Sequence, residues 1–170
     1  MSRARIAGLS PAALARRSES ALARSEGVRE YLVFRVGDDT MGLPLSSVKE
    51  ILKLAPITEV PRASPEIVGI LSVRGRITTI LDLRRVLRLP DAPTARSARI
   101  LLVAHGDEVL GLRVDSVTQV VRLLEKEIEP AGMIGGGLSE HVTGIGRPAG
   151  RESREENVIV LLDPEALLRS

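Results

Sequence analysis

Two histidines, His105 and His141, are the side chains of this 170-residue chain whose protons could move near neutral pH or whose rings could hold a metal. His105 stands beside a turn at Gly106 and His141 follows a glycine-rich stretch, so both are expected in exposed loops. Neither has a second histidine, a cysteine or a carboxylate at metal-ligand spacing. The chain has no cysteine, which excludes thiolate nucleophiles, disulfides and cysteine-type zinc sites. Gly132-Met133-Ile134-Gly135-Gly136-Gly137 has the glycine content of a phosphate loop, but no Gly-Lys-Ser/Thr follows it, so it reads as a flexible connection. No serine lies in a G-x-S-x-G setting. Asp82 and Asp163 could serve as paired catalytic carboxylates, yet each immediately precedes a predicted helical tail, where aspartate is a helix N-cap. These parts make no catalytic constellation. The expectation is a protein that is not an enzyme, with no metal and no cofactor.

What remains is a soluble, aliphatic chain that must position something other than reacting atoms. Its apolar fraction is 44%, and Tyr31 and Phe34 are its only aromatics. Val, Ile and Leu come in short runs, which favours strands over long helices. The longest aliphatic run, Val158 to Leu162, is far short of a membrane span, so no direct membrane insertion is expected. The formal charge of +2 hides a division: residues 1–30 carry six arginines against three glutamates, and the remainder is close to neutral. Nucleic-acid barrels stack bases on aromatics beside a basic groove. This chain lacks both features, so that reading is the weakest of those considered.

Stepping along the chain, residues 1–29 read as a basic N-terminal extension, partly helical or disordered. Ser10-Pro11 would start its helix and Gly27 would stop it. Strands are predicted from Tyr31 to Val36 and from Met41 to Leu45, with one helical turn and a strand within 46–54. Ile67–Val73 and Arg76–Leu81 form a hairpin about Arg74-Gly75. A short helix over 83–89 is ended by Pro90, and residues 90–98 read as a linker.

The chain then begins again. Shifted by 69 positions, Gly37 to Leu54 overlies Gly106 to Leu123 with seven identities in 18 positions. With longer offsets, Ile67-Val68-Gly69-Ile70 resembles Val142-Thr143-Gly144-Ile145, and Ile80-Leu81-Asp82 resembles Leu161-Leu162-Asp163. Two copies in one order imply an internal duplication. Each copy holds about five strands and a helical tail, a size suited to a small closed barrel. The first barrel is expected at about 30–90 and the second at about 97–168.

Residues 30–168 also resemble the CheW-like family, the coupling proteins of bacterial chemosensory arrays. The resemblance rests on Glu30 to Asp38, on Val48-Lys49-Glu50-Ile51, and on Val68-Gly69-Ile70-Leu71-Ser72-Val73-Arg74-Gly75 with Asp82-Leu83-Arg84. It continues in Gly111-Leu112-Arg113-Val114-Asp115-Ser116-Val117. Ser72, Val73 and Thr79 depart from the family's usual asparagine, leucine and proline. The resemblance implies a mostly β fold of two fused SH3-like five-stranded barrels flanking a hydrophobic core. It implies a cytoplasmic adaptor that bridges the cytoplasmic tip of a methyl-accepting chemoreceptor and the regulatory domain of a CheA-type histidine kinase. A non-flagellar pathway, such as surface motility, is an alternative setting for the same module.

On this resemblance Val48, Glu50, Gly69, Arg74 and Gly75 are the candidate receptor- and kinase-binding residues. Val48 could instead be a core valine and Glu50 a solvated charge. Gly75 should supply a positive φ in a tight turn. Arg74 would then project from that turn, either toward a partner carboxylate or into an internal salt bridge. Gly69 would admit a close backbone or partner, or accommodate a bulge.

Overall fold

In the computed structural model of the protein, residues 27–133, 140–149 and 158–169 are described. The helix expected in the N-terminal extension and most of the glycine-rich stretch lie outside them. The strands are β1 (Val28–Val36), β2 (Asp39–Pro44), β3 (Val48–Lys53), β4 (Ile67–Val73) and β5 (Arg76–Asp82) in the first half. The second half supplies β6 (Arg99–His105), β7 (Glu108–Val114), β8 (Ser116–Leu124), β9 (Ile128–Pro130), β10 (Val142–Gly146) and β11 (Ile159–Leu162). Short helices α1 (Leu83–Val86) and α2 (Pro164–Leu168) follow β5 and β11. No helix among the described residues is long and apolar enough to cross a membrane.

The fold is mostly β, in two sheets, as expected. How the halves contribute to the sheets differs from the expected partition. One sheet has the order β3-β6-β7-β5-β4 and the other β8-β1-β2-β11-β10-β9. The first hairpin, β1-β2, therefore sits among strands of the second half, and the hairpin β6-β7 sits among strands of the first. A division into barrels at 30–90 and 97–168 does not describe these sheets. The parallel pairings β5–β7 and β2–β11 are the seams where the halves interleave. The exchange leaves β1 and β6 as interior strands of their sheets. Each carries an almost unbroken buried run, Tyr31 to Phe34 and Ile100 to Val103, so each needs apolar cover on both faces.

That cover comes from three cores. Ile80, Ile100 and Leu102, with Leu52, Leu54 and Ile57, fill barrel 1, the β3–β4 sheet. Tyr31, Val33, Leu123, Ile159 and Leu161, with Val121, fill barrel 2. Between the barrels lies a larger core of Leu32, Phe34, Leu43, Leu81, Leu101, Val103, Leu112 and Leu162. These assignments obey the repeat. Tyr31 and Ile100, Val33 and Leu102, and Leu54 and Leu123 occupy matching barrel positions, while Leu32 and Leu101 both face the central core.

Both barrels close by one device. Beyond β3 the chain runs on to Thr58, which exchanges two backbone hydrogen bonds with Ile70 of β4, at 3.0 and 2.8 Å. Beyond β8 a 3-10 turn, Glu125–Glu127, leads into β9, which pairs with β10. The glycines of the repeat explain the closeness of these approaches. A Cβ on Gly69 would overlap the Thr58 carbonyl, and one on Gly144 would lie 2.6 Å from the Glu129 carbonyl oxygen. Register shifts precede both glycines.

The helical tails keep their expected caps. Asp82 accepts the Arg84 amide and Asp163 the Glu165 amide, each at 3.0 Å. The first tail is shorter than 83–89, because Arg88 takes a left-handed conformation at φ 58°. The Leu89 amide then returns to the Arg84 carbonyl and the Arg88 amide to the Arg85 carbonyl, a Schellman-type end. The histidines are not loop residues open to solvent. His105 ends β6 with its ring partly covered, and His141 is buried.

Candidate functional site

Five sequence-selected residues fall on one barrel, and the structure gives them unequal roles. β3 and β4 stand at opposite ends of the β3-β6-β7-β5-β4 order, so a flat sheet would keep Glu50 far from the β4–β5 turn. Closure at Thr58 brings them together. Arg74 donates from Nη2 to Glu50 Oε1. The internal salt bridge is thus the arrangement found for Arg74.

Arg74 reaches Glu50 because of the turn. Arg74 and Gly75 both have positive φ, 50° and 82°, the backbone of a tight two-residue hairpin turn. Gly75 supplies that conformation as expected, and a Cβ there would meet nothing within 4 Å. Arg74 adopts it at a cost of about 1–2 kcal/mol for a residue with a side chain. Gly69 lies away from this turn, against the chain's own Thr58, so the expected close approach is internal.

Val48 and Glu50 would share a face of a regular strand. A register shift between them separates them: Val48 stands opposite Val103 and Glu50 opposite Leu102. Val48 consequently packs on the central core, while Glu50 turns to the mouth of barrel 1 beside Leu102. There its carboxylate is asymmetric. One oxygen meets the largely exposed Arg74, and Oε2 is buried without a hydrogen-bond partner. A buried acceptor left unmatched costs on the order of 1–3 kcal/mol, which offsets part of what the ion pair contributes to the fold.

Ile77, one residue beyond the start of β5, is 69% exposed, the most exposed large aliphatic side chain among the described residues. It lines a shallow cleft of about 340 Å³ with Arg76, Thr78, Thr79, Asp107, Glu108, Val109 and Leu110, so charged side chains flank the exposed aliphatic ones. Val109 is exposed too. Charge and exposed aliphatic surface thus share the β4–β5 hairpin, a combination suited to gripping another protein and not to bond chemistry. Strand alternation puts Ile77 on the face opposite inward Ile80 and alongside buried Leu81, so the pattern alone suggests burial, and sequence reasoning passed over it.

A second polar group links the halves. Asp82 and Arg113 are register partners on β5 and β7, and their side chains meet at 2.9 Å. Arg84 and Asp115 meet at 2.5 Å. Asp115 also accepts the Gly37 amide at 2.7 Å. Burial alone would raise the Asp115 carboxyl, but the hydrogen bonds from Arg84 and the Gly37 amide outweigh it and hold it below the usual value. The hydrogen bond to Asp115 likewise raises Arg84. These four residues are the D-L-R and R-V-D segments of the resemblance, each supplying the other's counter-charge.

Comparison with known proteins agrees with this architecture. The family model described as CheW-like domain matches residues 30–170. The chain belongs to the CheW-like family. It is 32% identical over 136 residues to protein FrzA of Myxococcus xanthus, covering 80% of this chain and 84% of that one. It is 30% identical to the probable chemotaxis protein CheW of Rhizobium etli, covering 84% and 89%. In structure it is similar to the scaffolding protein TtCheW of Thermoanaerobacter tengcongensis, with a TM-score of 0.73 and 25% identity over 84% of this chain and 93% of that one. These relationships make it a chemotaxis-type adaptor or scaffold protein.

Proposed function

We propose that this chain bridges the cytoplasmic tip of a methyl-accepting chemoreceptor and the regulatory domain of a CheA-type histidine kinase, at the cytoplasmic face of a receptor array. It works by holding partners in fixed geometry and catalyses nothing itself. The supporting observation is the barrel 1 mouth. Glu50 there is anchored to the largely exposed Arg74 of the β4–β5 turn, and Ile77 on the same hairpin is exposed. A helical receptor tip offers what such a surface can grip, a carboxylate for Arg74 and apolar side chains at helical spacing for Ile77. Arg74, 79% exposed, keeps donors free for a partner carboxylate while one is spent on Glu50.

Immobilised kinase regulatory domain and immobilised receptor tip are each expected to retain the chain, and single-stranded DNA is expected not to. Retention by DNA and by neither protein would reject the adaptor reading in favour of a nucleic-acid-binding barrel.

A further inference from the structure

Two short passages carry the chain from one sheet to the other within a half. β2 passes to β3 through Leu45–Ser47, a 3-10 turn in which Ser47 Oγ donates to the Pro44 carbonyl at 2.7 Å. β7 passes to β8 through a single residue, Asp115. That residue is held from every side. Its amide donates to the Arg35 carbonyl at 2.9 Å, and its carbonyl accepts Ser97 Oγ at 2.8 Å. Its carboxylate takes the Gly37 amide from the β1–β2 turn of the barrel 2 sheet. It also takes Nε and Nη2 of Arg84, from α1 at the end of the barrel 1 strand β5. Arg84 spends its remaining nitrogen on the Pro90 carbonyl at 2.9 Å, so the start of the inter-half linker is tied to the same point.

The repeat shows that this clamp is one-sided. The position matching Asp115 is Ser46, and the position matching Arg84 is Glu165. No equivalent ion pair can form at the other passage. A fold with two related crossovers has a bidentate arginine–carboxylate lock at one of them alone, tying the helix after β5 to the residue where the chain leaves neighbouring β7 for the barrel 2 sheet.

We propose that Arg84 and Asp115 are positioning residues that set the angle between the two barrels, and that this angle governs engagement of two partners at once. The second part rests on the adaptor reading; the first does not. An arginine fork on a carboxylate fixes direction as well as distance, which a flexible crossover cannot do. Each barrel end would still bind its own partner without the lock. Simultaneous binding requires both ends to be presented together.

The absence of native cysteine permits a direct test. Cysteines placed at exposed Arg76 in barrel 1 and exposed Lys126 in barrel 2 carry spin labels, and the distance distribution between them is measured. Arg84→Ala is compared with Arg29→Ala, which removes an exposed ion pair to Glu125 outside the crossover. Asp115→Asn, nearly isosteric and able to keep the Gly37 contact, replaces Arg84→Ala if that variant folds poorly. The expected result is a broadened or shifted distribution for the lock variant and none for Arg29→Ala. Affinity for each partner alone should stay within about twofold, while receptor tip retained on kinase through the chain falls about tenfold. An unchanged distribution would overturn the positioning role, and a broadened one with full ternary retention would overturn its link to bridging. A wild-type chain that binds neither partner would reject the adaptor reading and the bridging link, with the distance result still deciding the positioning role.

Discussion

Glu50 and Arg74 are 24 residues apart in sequence and lie at opposite ends of a five-strand order, yet their side chains form an ion pair. The pair exists because the β3 continuation curls round to Thr58 and bonds Ile70. Barrel closure thus builds the surface on which the adaptor reading depends.

Arg74 offers a separation of stability from function. Arg74→Gly removes an ion pair in which Arg74 is exposed but Glu50 is mostly buried, a loss of about 1 kcal/mol, and relieves a left-handed residue worth about 1–2 kcal/mol. Urea denaturation should show stability unchanged or slightly higher, while affinity for the receptor tip falls. Parallel loss of both would assign Arg74 to the fold alone.

Gly69 and Gly144 should behave alike, since each admits the backbone that closes its barrel. Alanine at either site should cost about 1–3 kcal/mol through overpacking. Gly75→Ala has open space around it, so its cost should be limited to about 1–2 kcal/mol of left-handed strain. Thermal unfolding of the three variants should rank Gly75→Ala no worse than the other two.

The two caps of the repeat predict unequal losses. Asp163→Ala removes a helix N-cap, at about 1 kcal/mol. Asp82→Ala removes the same cap and leaves Arg113 without its carboxylate in a mostly buried site, for a total of about 3–5 kcal/mol. Chemical denaturation of the pair of variants reads the difference.

The Asp115 carboxyl is held below its usual value, so the folded chain takes up that proton later than the unfolded chain does. Its stabilisation is complete above the unfolded value of about 4 and is lost as pH falls through the lower folded one. Wild type should therefore lose its stability advantage over Asp115→Asn below about pH 4 and keep it at neutral pH. Denaturation midpoints for both proteins across that range test the sign.

Much of this fold was legible because a duplicated sequence states its pattern twice. Offsets of 69 and 81 that align Leu54 with Leu123 and Ile80 with Leu161 also align residues of matching cores. Strand exchange was not legible, because alternation specifies which faces are buried but not which half covers them. Glu50, Arg74 and Gly75 were selected as candidates through the motifs of the family resemblance. Their junction was not, since it depends on closure through Thr58, which carries no sequence mark. Asp115 and Arg84 appeared as motif letters without a role, for their contact spans 31 residues and depends on the parallel pairing of β5 with β7. His141 was misplaced because a glycine-rich neighbourhood suggests exposure, while its position just before β10 buries it.

The most direct test of the adaptor account is bridging. Labelled receptor tip is passed over immobilised kinase regulatory domain with wild-type chain, with Glu50→Ala, or with no chain. The account predicts retention of the receptor tip with wild type, none without the chain, and clearly reduced retention with Glu50→Ala while that variant keeps its unfolding midpoint. Receptor tip retained equally without the chain, or not retained with it, would contradict the account.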